Sequence, residues 1–319
     1  MKLLVLGGTA FVGRHIVDAA LLAGHEVTLF HRGQTGFDLF PNVERVLGDR
    51  SKDLHKLSDR HWDAVIDVNG RLPSEVRASA EFFKDHVGSY IFISTVSVYT
   101  NWGGSQDEDS AVHEPLQKAP DPMTGHAYGA LKVACEKAVD DLYTIGSTII
   151  RPGLIVGPHD TSDRFTYWPS RIAKGGDILA PGSSERLTQF IDVRDLAKWV
   201  VLMAGEVDAG TYNAVGRPVK MGELLATIQS VVKGGGKFIW KDDAFLTENK
   251  VEPYTEMPLW IPGTDTDFDG TLAQERGLTH RPLEDTIRDV FAWDQTRPSD
   301  LQRVNGMDPD RERDLLSGT

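Results

Sequence analysis

Tyr128 and Lys132 stand one helical turn apart in Tyr128-Gly129-Ala130-Leu131-Lys132, so a phenol and an ammonium share one helix face. A nearby cation stabilises phenolate and lowers a tyrosine pKa, which makes the phenol a usable acid or base near neutral pH. Of the seven tyrosines in the chain, this is the one followed by a lysine four residues on. Upstream, the apolar run Tyr90-Ile91-Phe92-Ile93 ends in Ser94-Thr95. A hydroxyl at that strand end is placed to hydrogen-bond the substrate oxygen that Tyr128 protonates. The plainer reading is an exposed helical pair, and spacing by itself does not separate the two.

Such side chains need a scaffold, and the stretch Met1 to Arg32 supplies its first part. The apolar run Lys2-Leu3-Leu4-Val5-Leu6 meets Gly7-Gly8-Thr9-Ala10-Phe11-Val12-Gly13 at once, as a buried parallel strand enters a tight turn. Glycine there lets the backbone turn sharply and approach a ligand without a Cβ in the way. The helix that follows aims free N–H groups at the same spot, which suits a pyrophosphate. Its apolar face is Ile16, Val17, Ala20 and Leu21, and Gly24 sits where a left-handed cap precedes the strand Val27 to Arg32. Strand, turn, helix and strand in this order read as a dinucleotide-binding unit, although the glycine spacing departs from G-x-G-x-x-G.

Strand-like runs then recur at Val43–Leu47, Ala64–Val68, Tyr90–Ile93 and Thr148–Ile150, with helical runs at Lys52–Leu57, Ser74–Lys84 and Tyr128–Tyr143. Alternation of this kind predicts an α/β fold with a doubly wound parallel Rossmann sheet. Ligands in such sheets lie beyond the carboxyl ends of the strands, where Gly7–Gly13, Asp49-Arg50, Asn69-Gly70, Thr95 and Pro152-Gly153 converge. From Leu154 the pattern loosens into a smaller α+β substrate lobe. The expected division is 1–153 plus about 187–214 for the nucleotide-binding part, with 154–186 and 215–319 for the lobe. Helices are expected at Arg194–Ala204, Met221–Val232 and from Asp308-Pro309 to Leu316. The charge run Asp308–Asp314 reads as a solvated face. Glu256–Trp260 and Trp240 offer bulky apolar surface, for a pocket wall or for core packing.

Composition sets further bounds. A net charge of −13 argues against a nucleic-acid partner, because phosphate backbones need a concentrated positive field. The single cysteine, Cys135, rules out a disulfide framework and fits a reducing cytoplasm. The sequence holds no membrane-spanning apolar run and no metal-ligand cluster, so no membrane and no metal are expected.

The glycine-rich turn, Asp49, Thr95-Val96-Ser97-Val98-Tyr99, Tyr128-xxx-Lys132 and Arg151-Pro152-Gly153-Leu154-Ile155-Val156-Gly157-Pro158 together resemble the extended short-chain dehydrogenase/reductases, also called the NAD-dependent epimerase/dehydratase family. Gln189–Asp195 and Asn213 also stand in family-like positions. The turn Gly-Gly-Thr-Ala-Phe-Val-Gly is similar to that of a divergent subgroup that includes reductases, epimerase-like proteins and plastid RNA-binding proteins. The resemblance implies that Tyr128 is the acid/base, that Lys132 holds the nicotinamide ribose, and that Thr95, with Ser94 as its alternative, is the hydroxyl partner. It also implies that Asp49 touches adenine, that Pro152-Gly153 flank the nicotinamide, and that a homodimer forms through the helices ending near Lys84 and Tyr143. The residues assigned to the cofactor are therefore Gly7, Gly8, Thr9, Ala10, Phe11, Val12, Gly13, His31, Arg32, Asp49, Arg50, Asn69, Gly70, Tyr128, Lys132, Pro152 and Gly153.

Departures from the family pattern narrow the expectation. Where NAD-preferring members end the second strand in a carboxylate, this chain has His31-Arg32, which favours a 2′-phosphate and hence NADP(H), with NAD(H) as the alternative. Sugar dehydratases place Asp-Glu after the threonine; here Val96-Ser97 stand there and cannot abstract that proton. Leu154 and Thr188 replace an asparagine and an arginine that grip a nucleotide diphosphate, and Arg186 or Arg164 is left to substitute. The expected activity is an NADP-dependent oxidoreduction of a carbonyl or alcohol on a small organic substrate. The alternatives are a nucleotide-sugar epimerase with bound cofactor, an RNA-binding protein on the same scaffold, and a cofactor-sensing regulator.

Overall fold

The computed structural model describes residues 1–143, 145–206, 210–298 and 300–318. It begins with β1 (Lys2–Leu6), α1 (Phe11–Leu22), β2 (Glu26–His31), β3 (Glu44–Leu47), β4 (Trp62–Asp67), α2 (Pro73–Phe83), β5 (Val87–Ile93), α3 (Gly125–Asp140) and β6 (Ser147–Pro152). These strands lie side by side with β11 (Gly210–Ala214) in a seven-stranded parallel sheet of order β11-β6-β5-β4-β1-β2-β3. The chain runs outward from β1 to β3, then crosses back to β4. The reversal between β1 and β4 is the crevice where such sheets bind ligands.

Continuous apolar strands form because both faces of the sheet are covered. On one face Ile16, Val17 and Ala20 of α1 pack with Leu196, Val200 and Met203 of α5 (Val193–Met203). On the other, Val76, Ala80 and Phe83 of α2 meet Cys135, Ala138 and Val139 of α3.

Between β6 and α5 the chain forms β7 (Leu154–Val156), α4 (Tyr167–Ala173), β8 (Asp177–Pro181), β9 (Leu187–Thr188) and β10 (Phe190–Asp192). After β11 come β12 (Val219–Lys220), α6 (Met221–Val232), β13 (Lys237–Lys241), α7 (Asp243–Glu248), α8 (Thr271–Glu275), α9 (Leu283–Asp294) and α10 (Pro309–Ser317). The short strands pair across long stretches of chain: β7 with β10, β9 with β12, β8 with β13. A second core of Phe165, Trp168, Leu225, Ile228, Ile287 and Trp260 lies beneath them.

Several local expectations change here. Lys52–Leu57 forms only a 3₁₀ turn at Leu54–Leu57, not an α-helix. Met257, Leu259 and Trp260 are buried in the second core and Trp240 packs against it, so that stretch is packing rather than pocket wall. Asp308 does cap α10, accepting from the backbone N–H of Asp310 and Arg311. The charge run after it is not wholly solvated, because Glu312 is buried between Arg171 and the N–H of Leu179. That carboxylate joins α10 to α4 and β8.

Candidate active site

The glycine-rich turn is shaped by contacts that a side chain would block. Gly7 and Gly8 have φ of 117° and 94°, and a Cβ on Gly13 would lie 2.7 Å from the backbone nitrogen of Gly8. The first turn of α1 therefore presses directly on the end of β1. Ala10, at the N-cap of α1, offers no side-chain acceptor, and the first turn carries no acidic residue. Its N–H groups stay available for an anion. Thr9 is tied to the loop after β2 by the contact of its hydroxyl with Thr35. Phe11 and Val12 continue the turn into the helix.

At the end of β2, His31 Nδ1 accepts from the Gly33 N–H, which assigns the ring proton to Nε2. That Nε2 is buried without a hydrogen-bond partner among the described residues, and burial holds the ring's pKa below its usual value. Arg32 is exposed beside it. Asp49 turns its carboxylate to the N–H and hydroxyl of Ser51, which hold it more acidic than usual, and it feels the charge of Arg32.

Arg50 is engaged within the fold. Its guanidinium is buried and bidentate on Asp67, at 2.8 and 2.6 Å, with a third bond to Ser79. Asp67 also accepts from the Tyr90 hydroxyl, and the neighbouring arginine keeps this fully buried carboxylate ionised against desolvation. Arg50 thus braces the crevice from beneath, with its Nε–H buried and unpartnered among the described residues. Asn69 and Gly70 follow directly on β4, with the Asn69 Cβ 3.7 Å from where a Gly7 side chain would begin. Pro152 ends β6, and the Gly153 N–H donates to Ala214 of β11.

Thr95 caps the 3₁₀ turn Val96–Val98: its hydroxyl accepts from the Ser97 N–H and donates to Ser97 Oγ. Ser94 points elsewhere. Its hydroxyl donates to Glu136, which is itself clamped by Arg151, so Ser94 belongs to a buried structural network and Thr95 is the hydroxyl left at the site. Thr124 caps α3, and Tyr128 follows in its first turn, 40% exposed. Gly129 makes the approach possible, since a Cβ there would lie 2.0 Å from the Ser97 carbonyl oxygen. That glycine is a site residue the sequence reading passed over.

Lys132 is buried, and its ammonium donates to the carbonyls of Gly70 at 2.9 Å and Ile93 at 2.8 Å while lying 4.0 Å over the Phe92 ring. Burial brings its pKa down to about 8. An ammonium has three donors, so one remains for a ligand hydroxyl. The expected lowering of the Tyr128 pKa by Lys132 is not found. Burial pushes the phenol up, and the cations pulling it back are Arg71 and Arg164. The sequence pattern offers Arg164 only as a substitute grip on a diphosphate and does not single out Arg71.

A glycine cradle against an uncapped helix, an orphaned donor at the end of β2 and a spare N–H on Lys132 together fit a dinucleotide. The fold and these residues define a Rossmann-type nucleotide-binding protein with a tyrosine–lysine pair beside the crevice. The family model described as the NAD dependent epimerase/dehydratase family matches residues 3–215, and the chain belongs to that family. Over 253 residues it is 28% identical to the chloroplast stem-loop binding protein of 41 kDa b of Arabidopsis thaliana, covering 74% of this chain but 63% of that relative. A 62-residue stretch, 19% of this chain and 20% of the relative, is 37% identical to the bifunctional pinoresinol-lariciresinol reductase of Forsythia intermedia. The fold is shared with UDP-glucose 4-epimerase of Thermotoga maritima at a TM-score of 0.70 and 17% identity, over 93% of this chain and 99% of that one. UDP-glucuronic acid 4-epimerase of Bacillus cereus, solved with NAD, matches at 0.68 and 17% over the same shares.

Proposed function

We propose that this protein is an NADP(H)-dependent oxidoreductase acting on the carbonyl or alcohol of a small organic substrate. The observation carrying this reading is the exposed Tyr128, on a helix that approaches the Ser97 carbonyl at Gly129, one helical turn before a Lys132 ammonium fixed at the strand ends. In reduction, Tyr128 gives its proton to the substrate oxygen, and Thr95 steadies that oxygen once its O–H turns from Ser97 Oγ. Lys132 holds a ribose hydroxyl with its remaining N–H. When bound, the nicotinamide supplies the hydride. Exposed Arg32, with no carboxylate at the end of β2, supports NADP(H) over NAD(H).

An epimerase acting on a nucleotide sugar is less well supported, because Leu154 and Thr188 cannot grip a diphosphate and Arg186 is engaged by Asp243 at 2.5 Å and the Ile261 carbonyl, which leaves Arg164 as the one substitute. The stem-loop binding relative favours RNA as a second reading, against which stands the net charge of −13. Mass spectrometry of ligand released from purified protein, then NADPH consumption against a panel of carbonyl compounds, decides among them. The proposal expects consumption of external NADPH and tighter binding of NADPH than NADH, with the preference reduced in Arg32→Gln. A tightly retained nicotinamide with no external consumption supports the epimerase. Salt-sensitive RNA binding without any consumption supports the RNA reading.

A further inference from the structure

Three large apolar side chains stand in solvent at one end of the sheet. Leu22, the last residue of α1, is 89% exposed, Leu202 near the end of α5 is 48% exposed, and Met1 is 39% exposed. A cleft of about 420 Å³ opens beside them, lined by Met1, Ala23, Trp199, Val201, Leu202 and Gly277. Met1 and His25, which also lines it, stand directly before β1 and β2, so this face lies at the amino ends of the strands, opposite the crevice. A mostly apolar cleft with a bare leucine at its edge marks an interaction surface. The outer faces of α2 and α3, where the family resemblance places a dimer, instead expose Arg77, Glu81, Lys137, Asp140 and Asp141.

The charges around the cleft say what fits it. Lys198, Leu202 and Glu206 all line it and follow one another at intervals of four residues. α5 carries the first two, and its turns continue to Glu206, whose N–H donates to the Met203 carbonyl. All three side chains are exposed, and neither Lys198 nor Glu206 makes an ion pair among the described residues. A second α5 laid antiparallel across this one at Leu202 brings the lysine of each copy to the glutamate of the other. Such a pairing is self-complementary about a two-fold axis, residue i meeting j while j meets i. Asp195, the other carboxylate lining the cleft, is already taken by Arg281 at 2.8 Å. Although the chain carries a net charge of −13, this rim is locally balanced, which suits a second copy and not a strongly basic partner.

We propose that the chain forms a homodimer through the ends of α1 and α5, with Leu22 of each copy seated in the cleft of the other and Lys198 facing the partner's Glu206. Burial of the leucines against Trp199 supplies the affinity. The rim pairs are worth little in water and set the antiparallel orientation. Because the interface lies at the amino ends of the strands, both crevices stay open to solvent, and the dimer is independent of the activity proposed above.

Analytical ultracentrifugation of the full chain, over a series from about 1 to 100 μM, tests this. Wild type is expected to dimerise within that range. Leu22→Glu and Leu202→Glu each weaken association at least about tenfold. Lys198→Glu and Glu206→Lys each weaken it by setting like charges against one another. An equimolar mixture of Lys198→Glu and Glu206→Lys recovers association, because the mixed dimer restores two opposite-charge contacts. Circular dichroism matching wild type shows that each variant is folded, and the two charge variants, at exposed positions, carry the test if a leucine variant does not fold. Wild type that stays monomeric throughout the series overturns the proposal and leaves the face to a different protein. A dimer that survives Leu22→Glu and Lys198→Glu, or that Arg77→Glu on α2 breaks instead, overturns it as well. So does a mixture of the two charge variants that remains monomeric.

Discussion

Asp67 is a fully buried carboxylate spent on structure. Its carboxylate ends β4 at the mouth of the crevice, but Arg50, Tyr90 and the Asn69 N–H consume its lone pairs. Removing one partner leaves a buried guanidinium uncompensated, so Asp67→Asn is expected to lower stability by about 3–5 kcal/mol in chemical denaturation. A loss under about 1 kcal/mol contradicts the brace. Lys132 makes a pH-dependent contribution of known sign. Its proton leaves the folded chain near pH 8 but stays on the unfolded chain to about 10.5. Between those values the unfolded state binds more protons, so this group's contribution to stability rises with pH. The denaturation midpoint of wild type relative to Lys132→Met should therefore climb from pH 8 to pH 10; a flat difference refutes the shift. These arrangements were not legible beforehand. Arg50 and Asp67 are seventeen residues apart and Glu136 and Arg151 fifteen, with no local pattern to mark either pair.

Elements that pack on both faces of one sheet were legible, because each must be a short unbroken apolar run ending in Gly, Asp, Asn or Ser. β1, β4 and β5 satisfy that rule, while β2 is apolar at Val27, Leu29 and Phe30 but ends in His31-Arg32. The seventh strand does not: Gly210-Thr211-Tyr212-Asn213-Ala214 is polar because Asn213 accepts from the Tyr99 hydroxyl and donates to two backbone carbonyls. The pairings of β7, β9 and β8 were also hidden, since two to five residues carry too little periodicity and their partners lie far along the chain. Helix placement at the site depends on Gly129. In Gly129→Ala the added methyl meets the Ser97 carbonyl, and the cost expected is about 1–3 kcal/mol together with a reduced kcat. Unchanged kcat in a stable variant means the contact between α3 and the Thr95–Ser97 turn does not set the site. In Gly13→Ala the methyl instead separates α1 from the end of β1, so NADPH affinity should fall at least about tenfold by titration calorimetry, with unaltered affinity counting against the cradle.

At the scale of the whole molecule, the glycine turn, the tyrosine–lysine pair and the strand ends come from distant parts of the chain and meet at the β1/β4 crevice. The sequence pattern foresaw this meeting because a parallel sheet sends every strand's carboxyl end to one side. It named Arg164 but not what holds its loop, which is tied by Asp160, Ser162, Asn305 and the ion pairs of Asp163, a set spanning loop and C-terminus. The central claim is that Tyr128 is the proton donor of a nicotinamide-dependent reaction. The most direct measurement is NADPH oxidation at saturating cofactor by wild type and Tyr128→Phe, using a carbonyl that wild type reduces. The account predicts equal NADPH affinity, an unchanged melting temperature, and kcat lower by about 10²- to 10⁴-fold in the variant. Wild-type turnover by a folded, cofactor-binding Tyr128→Phe protein would contradict it.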